Sequence, residues 1–244
     1  MCTLSWNRDS RGFELHFNRD ERHTRAAACP PEELGSGALR VMAPRDGDFG
    51  GTWIGVNERG VAVALLNGWH LQCAEREDVR SRGLLVLDAL GHASLGELQE
   101  WLPSSELDRY RAFTLCAFSL ASEEPLRADW DGAKLTLGAL QDDARPLVSS
   151  SYRYEDVVER RHAIFRDIAG QDPDGAGLAR FHASHLPEKG PFSTCMHRDD
   201  ASTKSYTTIR VEGQEAKLSY LDSAPCQPGT LHENQFALRG ARET

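Results

Sequence analysis

Met1-Cys2-Thr3-Leu4-Ser5-Trp6 opens the chain, and Gly12-Phe13-Glu14-Leu15-His16-Phe17-Asn18-Arg19-Asp20-Glu21 follows after a polar segment at 7–11. Apolar and polar residues alternate in both runs, so residues 3–6 and 12–17 read as two short strands of a hairpin. Such a hairpin brings Arg19 and Asp20 back beside Cys2. The small side chain at position 2 permits removal of the initiator methionine, which makes Cys2 the N-terminal residue. Its α-amine, with an ordinary pKa of about 8, can then take the proton of its own thiol, so nucleophile and base share one residue. Arg19 can stabilise the thiolate, and Asp20 can orient the amine or the thiol. Composition alone favours a plainer reading, in which Cys2 is a small residue starting an edge strand and 18–21 is a solvated turn.

Met1-Cys2-Thr3, the Asn18-Arg19-Asp20-Glu21 tetrad and Gly50-Gly51-Thr52-Trp53-Ile54-Gly55-Val56 together resemble the NRDE family, also called the transport and Golgi organisation family. That family in turn resembles the N-terminal nucleophile (Ntn) hydrolases, above all the cysteine branch of choloylglycine hydrolases and penicillin V acylases. The match is dense up to Trp69 and weak beyond it. Three motifs in order at matching spacing carry it; the tetrad alone does not.

The resemblance implies an α+β, four-layer αββα sandwich of two stacked antiparallel sheets. It implies Cys2 as nucleophile, Arg19 and Asp20 as its electrostatic setting, and Asn67 as an oxyanion-hole donor. From the residues alone, Asn67 before Gly68 is a strand-ending turn residue. Two positions depart from the family's pattern. Ser150 stands where a second oxyanion-hole Asn is usual, and Lys204 in Thr203-Lys204-Ser205-Tyr206-Thr207 stands where an Arg is usual. Lys204 keeps the charge without the planar fork, and a strand-edge lysine is an equally good account of it. The activity implied is hydrolysis of a non-peptide C–N amide bond of a small molecule. The alternative is a non-catalytic ligand carrier of the same fold, since haem trafficking has been proposed for relatives.

A chain of 244 residues with 40% hydrophobic and 27% charged residues has the composition of a globular protein with a substantial core. It reads as one domain over 1–244. A net charge of −9 without any Lys/Arg run argues against a nucleic-acid surface. No apolar stretch approaches the length of a membrane span, and the N-terminus lacks the pattern of a signal peptide. Cys2, Cys29, Cys73, Cys116, Cys195 and Cys226 are scattered without C-x-x-C or zinc spacing, so they read as free thiols in a reducing, cytoplasmic compartment. The sequence calls for no cofactor.

Further along, 22–48 has two adjacent prolines and little periodicity and reads mostly as loop. Strands are expected at 52–56 and 61–66, around a turn in which Gly60 supplies positive φ. Two helices follow over 81–93 and 94–102, the second opened by Ser94 and Glu97 in a capping-box pattern. Strands at 111–119, 126–130, 134–140 and 146–150 come next, then an amphipathic helix over 154–169 and a shorter one over 177–186. Strands at 192–197, 205–211 and 216–221 precede a Pro- and Gly-rich tail or edge strand. Two strand-rich halves with helices in pairs suit two stacked sheets, each under a helical layer. His182 and His185 lie three apart on a helix, a spacing open to a metal. Without a third ligand at motif spacing they read as surface or core-edge histidines. Cys195 and His197 share one face of the expected strand and read as core plus polar surface, so no metal site is expected.

Overall fold

The first hairpin sets the centre of the molecule. In a computed structural model that describes residues 1–36, 39–71 and 78–240, β1 (Cys2–Arg8) pairs antiparallel with β2 (Gly12–Arg22). Beyond the turn, β2 runs five residues past Phe17 because β11 (Ala201–Glu212) pairs with its other edge along its whole length. Tetrad residues 18–21 are therefore central-strand residues rather than a turn. A six-stranded sheet forms in the order β10-β1-β2-β11-β12-β13, with β10 at Leu147–Ser149, β12 at Glu215–Leu221 and β13 at Leu231–Ala237. The C-terminal region is thus an edge strand.

The second sheet has seven strands in the order β3 to β9: Cys29–Ser36, Leu39–Arg45, Ile54–Asn57, Ala62–Asn67, Phe113–Phe118, Leu126–Trp130 and Leu135–Ala139. Its first two members correct the expectation of a loop over 22–48. Val41, Met42 and Ala43 bury both faces of β4. Pro30 and Pro31 are tolerated because β3 is an edge strand with an irregular register between Cys29 and Glu32. Gly60 (φ 76°) closes the β5–β6 turn, and the Gly50-Gly51 pair has a packing reason. The Thr52 amide donates to the Gly83 carbonyl at 3.0 Å, and a side chain on Gly51 would meet the Gly83 backbone at 2.4 Å.

Helices α1 (Arg82–Ala89) and α2 (Leu95–Trp101) cover the outer face of the seven-stranded sheet, where Leu85, Val86, Leu95 and Leu98 pack on Val41, Val63 and Leu115. Helices α3 (Tyr154–Ala169) and α4 (Gly175–Ala183) cover the six-stranded sheet. Between the sheets lies a core of Leu4, Trp6, Leu15, Phe17, Ile54, Val56, Phe118, Ile209 and Leu218. Four layers result, α/β/β/α, as the alternation of strand-rich and helical stretches implied.

Segment 192–197 is not a strand; it makes one isolated bridge, His197 to Ser202. Gly190 and Pro191 break the chain before it, and its carbonyls are spent on side chains. Phe192 and Ser193 accept from Arg161, and Thr194 accepts from Asn18. Five cysteines, 2, 29, 116, 195 and 226, are free thiols; Cys73 lies outside the described residues. Among the described residues no helix is long and apolar enough to cross a membrane.

Candidate active site around Cys2

Strand alternation divides the N-terminal residues between two faces. Cys2, Leu4 and Trp6 turn toward the second sheet and join the inter-sheet core. Thr3 and Ser5 turn toward the helices: Thr3 Oγ1 accepts from Arg161 Nη1, and Ser5 Oγ lies 2.8 Å from His182 Nε2. The same rule splits the tetrad. Asn18 faces the helices and donates at 2.9 Å to the carbonyls of His182 and Thr194, which ties α4 and segment 192–197 to β2. Arg19 faces the other way.

Register puts Cys2 opposite Arg19 on one side and Ser149 on the other. Cys2 is 8% exposed. Burial raises its thiol above the ordinary value; the nearby N-terminal ammonium and the Asp20 backbone N–H oppose that rise, and the Asp20 carboxylate adds to it. Met1 holds the edge of the site. Its amine donates to the Asp20 carbonyl at 3.2 Å, and its carbonyl accepts from the Asp20 amide at 2.9 Å.

Arg19 is held by three groups. Its Nη2 donates to Asp46 Oδ2 at 2.5 Å, Glu21 lies 3.8 Å away, and its guanidinium stacks 4.5 Å from the centre of the Trp53 ring. Arg25 bonds the same Asp46 at 2.7 Å. Burial works to raise the Asp46 carboxyl, but the Phe49 amide, Arg25 and Arg19 outweigh it and hold it low. Arg19, Arg25, Ala26, Lys204, Tyr220 and Asp222 line a cleft of about 300 Å³. Lys204 sits on a bulge of β11, where the register shifts between Thr203 and Ser205. Its amine lies 2.9 Å from His23 Nδ1, on the exposed rim of that cleft.

Asp20 lies on the helix side in a fully buried network. Thr203 Oγ1 donates to its Oδ1 at 2.6 Å, and Arg161 Nη2 sits 3.6 Å from its Oδ2 while donating to the Ser193 carbonyl at 2.8 Å. Burial pushes the Asp20 carboxyl above its usual range against the pull of Arg161. Burial likewise draws down the Arg161 guanidinium, opposed by the charges of Asp20 and Cys2.

Asn67 ends β6, and its carbonyl accepts from Ser149 Oγ at 2.6 Å, which joins the two sheets beside β1. Ser150 is buried; its hydroxyl donates to the Tyr152 carbonyl at 2.6 Å and meets Met1 Sδ at 2.7 Å. The structure therefore brings Cys2, Arg19 and Asp20 together. It sets Asn67 and Ser150 on neighbouring strand ends and leaves Lys204 at the rim.

Arg161, Thr203, Asp46 and Trp53 also belong to this site, a role that the sequence pattern does not assign them. Arg161 did leave a signal, since it interrupts the buried stripe Val157–Ile164–Phe165 of α3 at helical spacing. A charge in that position needs a partner. Asp46 left none, because 22–48 lacked the periodicity that would have set it on a strand end. His182, expected at a surface or core edge, is fully buried on Ser5.

Four known families and proteins resemble this chain. The family described as "Transport and Golgi organisation 2" matches residues 1–132. A Transport and Golgi organization protein 2 homolog from Bos taurus is 27% identical over 276 residues, spanning 96% of this chain and 98% of its own length. Among solved structures, a C2A mutant of the conjugated bile acid hydrolase from Clostridium perfringens superposes with TM-score 0.57 at 10% identity, covering 100% of both chains. An N-acylethanolamine-hydrolyzing acid amidase ortholog from Caenorhabditis elegans gives TM-score 0.53 at 8% identity over 86% of this chain and 92% of its own. At such identities the likeness is one of fold, the Ntn-hydrolase sandwich.

Proposed function

This chain belongs to the Transport and Golgi organisation 2 family, and on that premise we propose that it is an Ntn-type amidohydrolase whose nucleophile is Cys2 once Met1 is removed. The observation that carries the proposal is the register of Cys2 opposite Arg19, with the N-terminal ammonium bonded to the Asp20 carbonyl beside it. With Met1 gone, an ammonium on Cys2 itself replaces one a residue away. A positive charge that close favours the thiolate.

In the proposed reaction Cys2 Sγ attacks the carbonyl carbon of the amide while the Cys2 amine takes the thiol proton. The carbonyl π pair moves to oxygen, and the Asn67 side chain donates to that oxyanion, a contact of a kind worth ~3 kcal/mol. Collapse breaks the C–N bond as the amine passes its proton to the leaving nitrogen, giving a thioester and a free amine. Water then attacks the thioester with the Cys2 amine as base, and the thiol leaves with the proton. Arg19, pinned by Asp46 and Trp53, sets the potential at sulfur and lines the cleft through which an acylated small molecule enters. A bile acid hydrolase and an N-acylethanolamine-hydrolyzing amidase among the structural neighbours support a small amide as the substrate class.

A non-catalytic carrier is the competing reading, favoured by the Ser150 hydroxyl being engaged with Tyr152 rather than free to serve an oxyanion. Hydrolysis of a panel of N-acylated small molecules by wild type and Cys2→Ala separates the two. Turnover lost in Cys2→Ala supports the hydrolase; equal rates in both proteins overturn it. A haem titration showing a saturable Soret shift at one equivalent, in a chain without turnover, would support the carrier.

A further inference from the structure

Away from Cys2, four side chains with metal-binding atoms converge. His185 follows α4, Cys195 and His197 lie on the irregular segment before β11, and Cys226 lies in the connection between β12 and β13. One potential ligand atom from each falls within 4.8 Å of all the others. Cys195 Sγ is 3.6 Å from His197 Nε2, which is 3.3 Å from Cys226 Sγ. A tetrahedral ion with bonds of about 2.3 Å to sulfur and about 2.0–2.1 Å to nitrogen has sulfur–nitrogen edges of about 3.5 Å. We infer that His185, Cys195, His197 and Cys226 form a Cys₂His₂ site for a tetrahedral divalent transition metal of the zinc class.

Three further observations bear on the assignment. His185 Nε2 is buried without a hydrogen-bond partner, a polar atom whose burial is otherwise uncompensated. Two thiolates neutralise a divalent cation, and the thiolate–imidazole pair selects zinc over the hard cations. The quartet is also held from outside: the Cys195 amide donates to the Ser184 carbonyl at 3.0 Å, and Gln227 closes a turn onto Ala224 at 2.9 Å. No linear motif announces the site, because its ligands come from three separate segments and no C-x-x-C is involved. Cys195 and His197, expected from their own segment to be core plus polar surface, meet His185 and Cys226 only in the assembled fold.

Bound there, the metal clips the connection after β12 to segment 184–197. That segment supplies the Ser193 and Thr194 carbonyls that hold Arg161 and Asn18. The ion is therefore structural in placement: all four positions are filled by protein, and its energy enters folding directly.

The test uses full-length protein carrying Cys2→Ala, so that the reactive thiol plays no part, reduced and stripped of metal. Titration with Co(II) is expected to give the intense d–d bands of tetrahedral thiolate ligation saturating at one equivalent, bleached by one equivalent of Zn(II). Cys226→Ser and His197→Ala should lose that saturation, with a folded far-UV spectrum retained by the exposed Cys226→Ser, and Cys29→Ser should keep it. Elemental analysis of protein purified without chelator should give one zinc per chain. An octahedral Co(II) spectrum, binding unchanged in Cys226→Ser, or no binding by the reduced chain with only a Cys195–Cys226 disulfide on oxidation would each overturn the assignment.

Discussion

Arg161 shows how a single residue joins fold to chemistry. It is fully buried, and its five donors reach Thr3, Ser193, Phe192 and, at longer range, Asp20. Removing one partner of a buried pair leaves the other charge uncompensated, so Arg161→Ala should destabilise by ~3–5 kcal/mol. Arg161→Met with Asp20→Asn should cost less than Arg161→Met alone, because no charge is then stranded. Denaturant midpoints for the three variants check this, and a double variant no more stable than Arg161→Met alone would contradict it. His182 makes a second prediction. Burial first, then the charges of His16 and Arg161, keep its imidazole well below the usual histidine value. An unfolded chain binds that proton below about pH 6.5 while the folded chain refuses it. Stability should therefore be full above that pH and fall as the pH drops below it. His70 and His162 shift the same way, so His182→Gln should flatten the acid limb in part, as read from urea midpoints between about pH 5 and 7.5. An unchanged slope would mean that His182 takes up its proton when folded.

At the scale of elements, the hairpin β1–β2 was legible because alternation sets its faces and a short turn sets its register. That register alone brought Arg19 to Cys2. Helix α2 was legible for a different reason: Ser94 accepts from the Glu97 amide at 3.2 Å, and Glu97 Oε2 accepts from the Ala93 amide at 2.8 Å. Ser94→Ala should cost about 1 kcal/mol, a fall of roughly 2–4 °C in Tm for a chain of this size; no shift would mean that the cap contributes nothing. Strands β3 and β4 were not legible. Their prolines, which signal loop in isolation, are permitted by an edge position that only the assembled sheet defines. Segment 192–197 erred in the opposite sense. Its residues have strand character, but Asn18 and Arg161 take the carbonyls that a ladder would use.

Across the whole molecule, alternation of strands and helix pairs carried the four-layer architecture, because each sheet face must be covered by something apolar. What no local pattern carried was the convergence of distant segments: Asp20 with Arg161 and Thr203, and Arg19 with Asp46 and Trp53. The inter-sheet core draws on both sheets, from Leu4 and Leu15 to Ile54 and Phe118. We accordingly expect one cooperative unfolding transition, with near-UV and far-UV circular dichroism coincident through denaturant; separated transitions would divide the chain into two units.

The central claim is that Cys2 becomes an activated nucleophile when Met1 is lost. While Met1 remains, burial raises the Cys2 thiol, so the encoded chain and the trimmed chain should differ sharply in reactivity. The direct measurement is intact mass and peptide mapping after brief, substoichiometric iodoacetamide at pH values well below the ordinary thiol pKa of about 8.5. The account predicts a chain lacking Met1 and a label found selectively on Cys2. A retained Met1, or a Cys2 labelled no faster than the exposed Cys29 and Cys226, would contradict it.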